Sequence, residues 1–373
     1  MIQLDLGNLD KAKINNLGGK LPGFLEKTGD LGFVNCLDEI DLEEINSFAQ
    51  SVKGKFNHIV VLGIGGSALG AKAIAQTFGK DLIVLDNIDP DLILETEKKI
   101  DIEKTLFLVI SKSGETIETL TQLSCFWQKL PNKNNFVFVT GNKGKLREIA
   151  DKENIKTFSV PEEVGGRFSV LTSVGLLPAS LVGVDIFSLV EGARKMRDLF
   201  LSDNVEKNLS FQLATSHVVS DKNTIVLMPY KERLRAFTTW WAQLLGESTG
   251  KEGKGFTPVS AQGVTDQHSL LQLLIDGPDD KLTIFLSVVQ KDENELGKLL
   301  NIEKEATRQS LTESKRANLE IKISEITPEV LGELFFLFMG MTYFLGEFLE
   351  INVFNQSGVE RAKVLTRESL SKS

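Results

Sequence analysis

A glycine-rich turn in the first third of the chain has the residue types of an anion site. The turn, Gly63-Ile64-Gly65-Gly66-Ser67, follows the apolar run His58–Leu62 and precedes a stretch that favours a helix. Glycines let a phosphate approach the backbone closely, and amides at the start of a helix point toward it. The turn therefore predicts a site for a phosphate or a nucleotide.

A dinucleotide is one ligand class that this turn fits. Gly63, Gly65 and Ala68 satisfy the pattern G-x-G-x-x-G/A, and Asp86 follows at about 20 residues, where an acidic residue binds the ribose of NAD. An NAD-dependent dehydrogenase is therefore an alternative at this point. The turn alone does not choose between the two ligands.

A second loop follows the next long apolar run, Thr105–Ile110. It supplies Ser111, Lys112, Ser113 and Thr116 just before another helical stretch. Hydroxyls, a cation and a helix start form a compact anion cradle. One hydroxyl would be enough to cap the helix, and this loop has three. Two such loops suit a monophosphate better than a dinucleotide.

Three further side chains have the chemistry to move protons and to stabilise negative charge. Arg167 follows two glycines, Glu247 ends an aromatic helical stretch beside a glycine-rich loop, and His268 opens a helix after a polar turn. An arginine can stabilise a developing oxyanion, and a partly desolvated carboxylate can act as a general base. Each of them, taken alone, is also compatible with an ordinary surface residue.

The last helical stretch carries Gln356, Glu360 and Lys363. Their spacing of four and three residues places them on one face of a helix. A solvated helix shows the same pattern, so the spacing alone is a weak indication of a site.

Runs of apolar residues alternate with helical stretches, which is typical of parallel sheets covered by helices. We predict strands at His58–Leu62, Leu82–Leu85, Thr105–Ile110 and Phe136–Thr140, and the alternation resumes after residue 220. This predicts an α/β protein with a first domain at 1–180, a second at 181–345 and a C-terminal helical segment at 346–373. In such sheets ligands bind at the carboxyl ends of the strands, where both anion loops fall.

Composition excludes several classes of protein. The 373 residues include 42 Lys and Arg against 51 Asp and Glu, and the net charge of −9 disfavours binding to nucleic acid or to an anionic membrane. We expect no secretion signal, because the N-terminus lacks an apolar region after a basic start. We also expect no membrane span, because no apolar run reaches about 18 residues. Cys36 and Cys125 lie far apart, which fits a reducing cytoplasm and predicts no disulfide framework or metal site.

The motifs, taken in order, resemble those of the phosphoglucose isomerase family, which is built from two sugar-isomerase domains. The most specific stretches are GGRFSVLTSVG, at Gly165–Gly175, and INVFNQSGVERAK, at Ile351–Lys363. The motifs LGIGGSALG, SKSGETIET, GESTGK and TDQHSLLQLLIDG occur in the expected order as well. The resemblance covers the chain from about residue 40 to its end.

This resemblance implies an aldose–ketose isomerase that interconverts glucose 6-phosphate and fructose 6-phosphate, in glycolysis and gluconeogenesis. It implies that Glu247 moves a proton between C1 and C2 through a cis-enediolate, which Arg167 stabilises. It also implies that His268 assists ring opening with Lys363, while Glu118 orients the histidine. The implied ligand-binding residues are Gly66, Ser67, Ser111, Lys112, Ser113, Thr116 and Gln356.

The resemblance further implies a homodimer in which His268 reaches the neighbouring subunit's site, and no metal or organic cofactor. Glu115 would place a negative charge beside the phosphate, so we expect it to point away. Besides the dehydrogenase, two alternatives remain. They are a bifunctional phosphoglucose/phosphomannose isomerase and a non-catalytic sugar-phosphate-binding protein.

Overall fold

The computed structural model describes residues 2–289 and 294–370. Within them the strands are β1 Ile2–Asp5, β2 His58–Leu62, β3 Ile83–Leu85, β4 Thr105–Ser111, β5 Phe136–Thr140, β6 Lys156–Ser159, β7 Thr224–Pro229, β8 Thr257–Ser260, β9 Lys281–Val288 and β10 Asn318–Ile323. The α-helices of the same residues are α1 Lys11–Leu17, α2 Leu21–Leu25, α3 Gly32–Glu39, α4 Leu42–Val52, α5 Leu69–Thr77, α6 Pro90–Lys99, α7 Ile117–Trp127, α8 Lys145–Glu153, α9 Ser173–Leu181, α10 Ile186–Phe200, α11 Leu209–Ser220, α12 Arg235–Thr249, α13 Gln267–Asp276, α14 Glu295–Glu313, α15 Pro328–Leu349 and α16 Glu360–Leu370.

The first sheet has the order β3-β2-β4-β5-β6, and all of its strands are parallel. Apolar, mostly β-branched or aromatic residues fill β2, β4 and β5, because a parallel sheet is buried on both faces. Leu62 pairs in register with Val109 of β4. The loops that follow β2 and β4 therefore leave the same edge of the sheet side by side, as predicted for the two anion loops.

The second sheet has the order β1-β10-β9-β7-β8, in which only β1 runs antiparallel to its neighbour. Its outer strand β1 comes from the start of the chain, within the range 1–180 predicted for the first domain and its N-terminal segment. β1 forms backbone hydrogen bonds with the otherwise free edge of β10. Asp5 of β1 also accepts a hydrogen bond from Arg308 at 2.7 Å. By pairing, residues 2–5 belong with the second sheet.

Helix α15 forms the centre of the second half of the molecule. It is long and apolar enough to cross a membrane, but 94% of its apolar window is buried inside the fold, where it packs against α10, α11 and α12. Tight crossings are possible because it carries glycines. A Cβ at Gly332 would lie 1.8 Å from the Leu189 carbonyl oxygen of α10. The apolar stretch thus forms a buried helix, and its end leads directly into the segment that contacts Arg167.

Candidate active site

Close packing of two glycine motifs brings the turn after β2 against the segment that carries Arg167. A Cβ at Gly66 would lie 2.3 Å from the carbonyl oxygen of Gly166, so a side chain at residue 66 would push the two loops apart. Gly65 has a φ of +57°, a conformation that glycine adopts without strain. The turn Gly63–Ser67 thus joins the first sheet to the short helical turn at Gly166–Leu171.

Arg167 is almost completely buried, with 3% of its side chain exposed, and its guanidinium binds groups from two distant parts of the chain. Nε donates to Ser248 Oγ at 2.7 Å, and Nη2 donates to the carbonyl oxygens of Val353 and, at 3.0 Å, Asn355. Burial lowers the pKa of Arg167, and the nearby Glu247 carboxylate opposes that effect. The arginine therefore joins α12 to the segment that follows α15.

Glu247 lies in the last turn of α12, which is anchored by the buried Trp240 and Trp241. Both carboxylate oxygens have a partner, because Gln243 Nε2 donates to Oε1 at 3.0 Å and Arg167 Nη1 lies 3.5 Å from Oε2. The side chain remains 36% exposed. A carboxylate that is oriented on two sides and still accessible is suited to proton transfer.

The sequence analysis did not identify Gln243, which orients Glu247. The signal that could have found it is the spacing of four residues, which stacks two side chains on one face of a helix. Gln243 also lies against the turn after β2, since a Cβ at Gly65 would be 2.8 Å from its Nε2 atom. The glycine turn and the proposed base are thus connected through one amide.

In the loop after β4, the structure brings together two of the predicted hydroxyls and separates the cation from them. Ser111 Oγ and Thr116 Oγ1 share a hydrogen bond of 2.9 Å, and Ser113 Oγ accepts from the Glu115 amide at 3.2 Å. Lys112 Nζ instead donates to the Glu162 carbonyl oxygen at 2.6 Å, and burial lowers the pKa of this lysine. The cradle observed here therefore consists mainly of hydroxyls and backbone amides.

The carboxylate of Glu115 is held at the start of α8. Its Oε1 atom accepts a hydrogen bond from the Lys145 amide at 2.8 Å, a position where the partial positive charge of the helix end is favourable. The loop can make this contact because Gly114 has a φ of +68° and lies close to the Lys143 carbonyl. The negative charge thus has a partner within the protein.

A cleft of about 580 Å³ lies between this loop and α16. Its lining includes Ser113, Thr116 and Glu118 from the loop and α7, together with Lys363 from α16, which are four of the predicted site residues. Lys363 Nζ donates to Glu360 Oε1 at 2.9 Å, and both side chains are exposed. The terminal helix thus lies beside the loop after β4.

Gln356 and His268 lie elsewhere. Gln356 Oε1 is 3.4 Å from Arg167 Nη1, so the structure groups it with the proposed base rather than with the hydroxyl loop. His268 lies on the exposed side of α13, a helix that packs on α14. Within residues 2–289 and 294–370 its side chain forms no hydrogen bond or ion pair, so this chain alone does not connect it to Glu247 or Lys363.

The described part of the chain contains no group of three or more His, Cys, Asp or Glu side chains arranged to hold a metal ion. The groups that the structure brings together at the site are the Glu247 carboxylate, the guanidinium and amide groups around it, and the adjacent hydroxyl loop. This set can remove a proton next to a carbonyl and stabilise the resulting oxyanion.

A family model described as phosphoglucose isomerase matches residues 42–302, which is more than half of the chain. The chain belongs to the phosphoglucose isomerase family. Within this family, a glucose-6-phosphate isomerase from Carboxydothermus hydrogenoformans is 39% identical over 91% of this chain and 85% of its own length. One from Methanocaldococcus jannaschii is 35% identical over 97% of this chain and 94% of its own.

Solved structures share the fold of this chain. A protein from Thermus thermophilus, described as hypothetical, has a TM-score of 0.92 and 34% identity, and the match covers 99% of this chain and 100% of that one. A glucose-6-phosphate isomerase from Chlamydia trachomatis shares the fold, with a TM-score of 0.89 at 22% identity over 99% of this chain and 88% of its own. The predicted family, α/β fold and enzyme class are confirmed, and the two sugar-phosphate alternatives and the dehydrogenase are not favoured.

Proposed function

We propose that this protein interconverts glucose 6-phosphate and fructose 6-phosphate, and that Glu247 is the base that moves the proton between C1 and C2. The observation that supports this most is the Glu247 carboxylate, held between Gln243 and the buried Arg167 and still accessible. The relatives named glucose-6-phosphate isomerase support the choice of substrates.

In the proposed reaction, Glu247 removes the proton from C2 of open-chain glucose 6-phosphate. The electrons of the broken C–H bond form the C1–C2 double bond, and the carbonyl oxygen takes the negative charge of a cis-enediolate. Arg167 lies beside the base and stabilises that oxyanion through its guanidinium. Glu247 then returns the proton to C1 while the hydroxyl proton on O2 passes to O1, so that C2 becomes the carbonyl carbon of the ketose. No oxidant or reductant is consumed.

The phosphate is proposed to bind the loop after β4, where Ser111, Ser113 and Thr116 supply hydroxyls at the helix start of α7. Gly66 and Ser67 are proposed to face the substrate from the neighbouring turn. Lys112 and Gln356 were also predicted to bind the ligand. To bind the ligand, Lys112 would have to break its hydrogen bond to the Glu162 carbonyl oxygen. Gln356 already lies at the site, because its side chain contacts Arg167.

Ring opening is proposed to require a second subunit. Lys363 and Glu118 line the cleft beside the hydroxyl loop, whereas His268 is exposed on α13 without a partner among the described residues. Leu273 of α13 is also exposed, at 46%. These observations support a homodimer in which His268 completes the site of the other subunit. The free thiols of Cys36 and Cys125 support a cytoplasmic location.

The activity is tested with fructose 6-phosphate as substrate, and glucose 6-phosphate is detected by a coupled dehydrogenase that reduces NADP. The composite site is tested by mixing two inactive variants, Glu247→Gln and His268→Ala, after unfolding and refolding them together. Hybrid dimers would regain one intact site and therefore part of the activity. An inactive wild-type protein would contradict the proposed activity, and inactive hybrids of proven dimers would contradict the shared site.

A further inference from the structure

The segment that follows α15 is held at the site by cations that bind its carbonyl oxygens. Lys254 Nζ donates to Leu349 O at 2.8 Å, and Lys251 Nζ donates to Asn352 O at 2.7 Å. The guanidinium of Arg167 binds the carbonyl oxygens of Val353 and Asn355. Residues 349–355 therefore bind three cationic side chains from elsewhere in the chain.

Among these three, Lys251 has a second contact at the end of the helix that carries the proposed base. Its Nζ also donates to the Ser248 carbonyl oxygen at 2.9 Å. The last carbonyls of a helix have no partner within the helix and carry a partial negative charge, which an ammonium group satisfies. Lys251 thus links the turn that contains Glu247 and Ser248 directly to the segment that binds Arg167.

The electrostatic surroundings of Lys251 include both proposed catalytic groups. Burial, and after it the charge of Arg167, lower the pKa of Lys251 to about 8, and Glu247 opposes them. Lys251 thus faces two charged groups, Glu247 of α12 and Arg167 of the turn at Gly166–Leu171. Lys254 lies on the same loop as Lys251, and its ammonium group is directed to the Leu349 carbonyl. Residues 349–355 contact Lys251 through a carbonyl oxygen.

We propose that Lys251, in its charged form, is a positioning residue that clamps the end of α12 to residues 349–355 and thereby fixes Glu247 relative to Arg167. This inference rests on the isomerase activity proposed above. The base lies on α12 and the guanidinium on the turn at Gly166–Leu171, so the clamp sets a distance that neither side chain sets alone. A misplacement of about 1 Å can cost about 100-fold in rate.

The test compares Lys251→Gln and Lys251→Arg with the wild-type protein in the coupled assay. For Lys251→Gln we expect kcat to fall about 10- to 100-fold while KM changes little, because the displaced groups act in the transition state. Lys251→Arg keeps the charge and is expected to restore most of kcat. Lys254→Gln is the matched control, since Lys254 tethers the same segment without facing Glu247, and it should keep nearly all of kcat.

The pH profile separates positioning from general loss of structure. The clamp is present while Lys251 is protonated and is lost as the pH rises through its pKa of about 8, so wild-type kcat should decline there. In Lys251→Arg this decline should move to higher pH, because arginine stays protonated. Far-UV circular dichroism and thermal unfolding confirm that each variant is folded.

The proposal is overturned if folded Lys251→Gln keeps wild-type kcat, if Lys251→Arg leaves the alkaline decline unchanged, or if Lys254→Gln lowers kcat equally. Each of these comparisons can be made only if the wild-type protein is active. An inactive wild-type protein would instead contradict the isomerase activity itself, so the two failures are distinguishable.

Discussion

Replacing Arg167 by lysine is expected to reduce both turnover and stability. The guanidinium binds through three nitrogens at once, to Ser248 Oγ, to two backbone carbonyls and to the side chains of Glu247 and Gln356. A lysine ammonium keeps the charge but is a single point on a flexible stem and cannot reproduce this planar fork. The substitution therefore removes geometry and preserves net charge.

The size of the loss in kcat and in stability depends on which groups lose a hydrogen-bond partner in Arg167→Lys. Loss of one preorganised donor to an oxyanion costs about 100- to 1,000-fold in kcat, or about 2.7–4 kcal/mol. The carbonyls of Val353 and Asn355 share one nitrogen of Arg167, and at least one of them should lose its donor in the lysine variant. A buried unpaired carbonyl costs about 1–3 kcal/mol, so the free energy of unfolding should fall by that amount.

The coupled assay gives kcat and KM for Arg167→Lys, and denaturant unfolding gives its stability. Arg147→Lys is a suitable control, because Arg147 also donates to a backbone carbonyl, that of Gly141 at 3.1 Å, without a contact to the proposed base. It should keep wild-type kcat. The reasoning is refuted if folded Arg167→Lys turns over within about threefold of the wild-type rate, far less than the loss of one oxyanion donor costs.

Three further substitutions test other parts of the site. Gly66→Ala should lower kcat and the melting temperature together, because its Cβ would lie 2.3 Å from a backbone oxygen of the neighbouring loop; unchanged kinetics would contradict this close packing. Thr116→Val should raise KM more than it lowers kcat, since it removes a hydroxyl paired with Ser111, and a change confined to kcat would argue against phosphate binding there. Glu115→Gln should leave KM nearly unchanged and lower stability by about 0.5–2 kcal/mol through the weakened helix cap, whereas a large change in KM would show that Glu115 faces the ligand.

Local sequence signals predicted most of the first sheet. The apolar runs and the glycine or serine residues that follow them place β2 and β5 at the predicted residues and β3 and β4 within one residue. The short strands β6 and β8 were missed, because they contain only four residues each and mix polar with apolar side chains. The pairing of β1 with the second sheet was missed as well, since it joins residues more than 300 positions apart.

At the site, residue types were easier to predict than their partners. Glu247 and Arg167 lie in distinctive motifs, and the structure places them 3.5 Å apart although they are 80 positions apart in the sequence. The direction of Lys112, toward the Glu162 carbonyl, depends on a loop 50 residues away that no local pattern reveals. The same is true of Gln356, whose contact with Arg167 forms only when the segment that follows α15 lies against the turn at Gly166–Leu171.

The most direct test of the central claim is isomerisation in deuterium oxide, comparing wild-type protein with Glu247→Gln. The glutamine preserves the shape of the side chain but cannot accept the proton. We predict that the wild-type protein interconverts the two sugar phosphates and introduces solvent deuterium at C1 of the fructose phosphate, and that the variant does neither at a measurable rate. Comparable turnover and deuterium incorporation by Glu247→Gln would contradict the account.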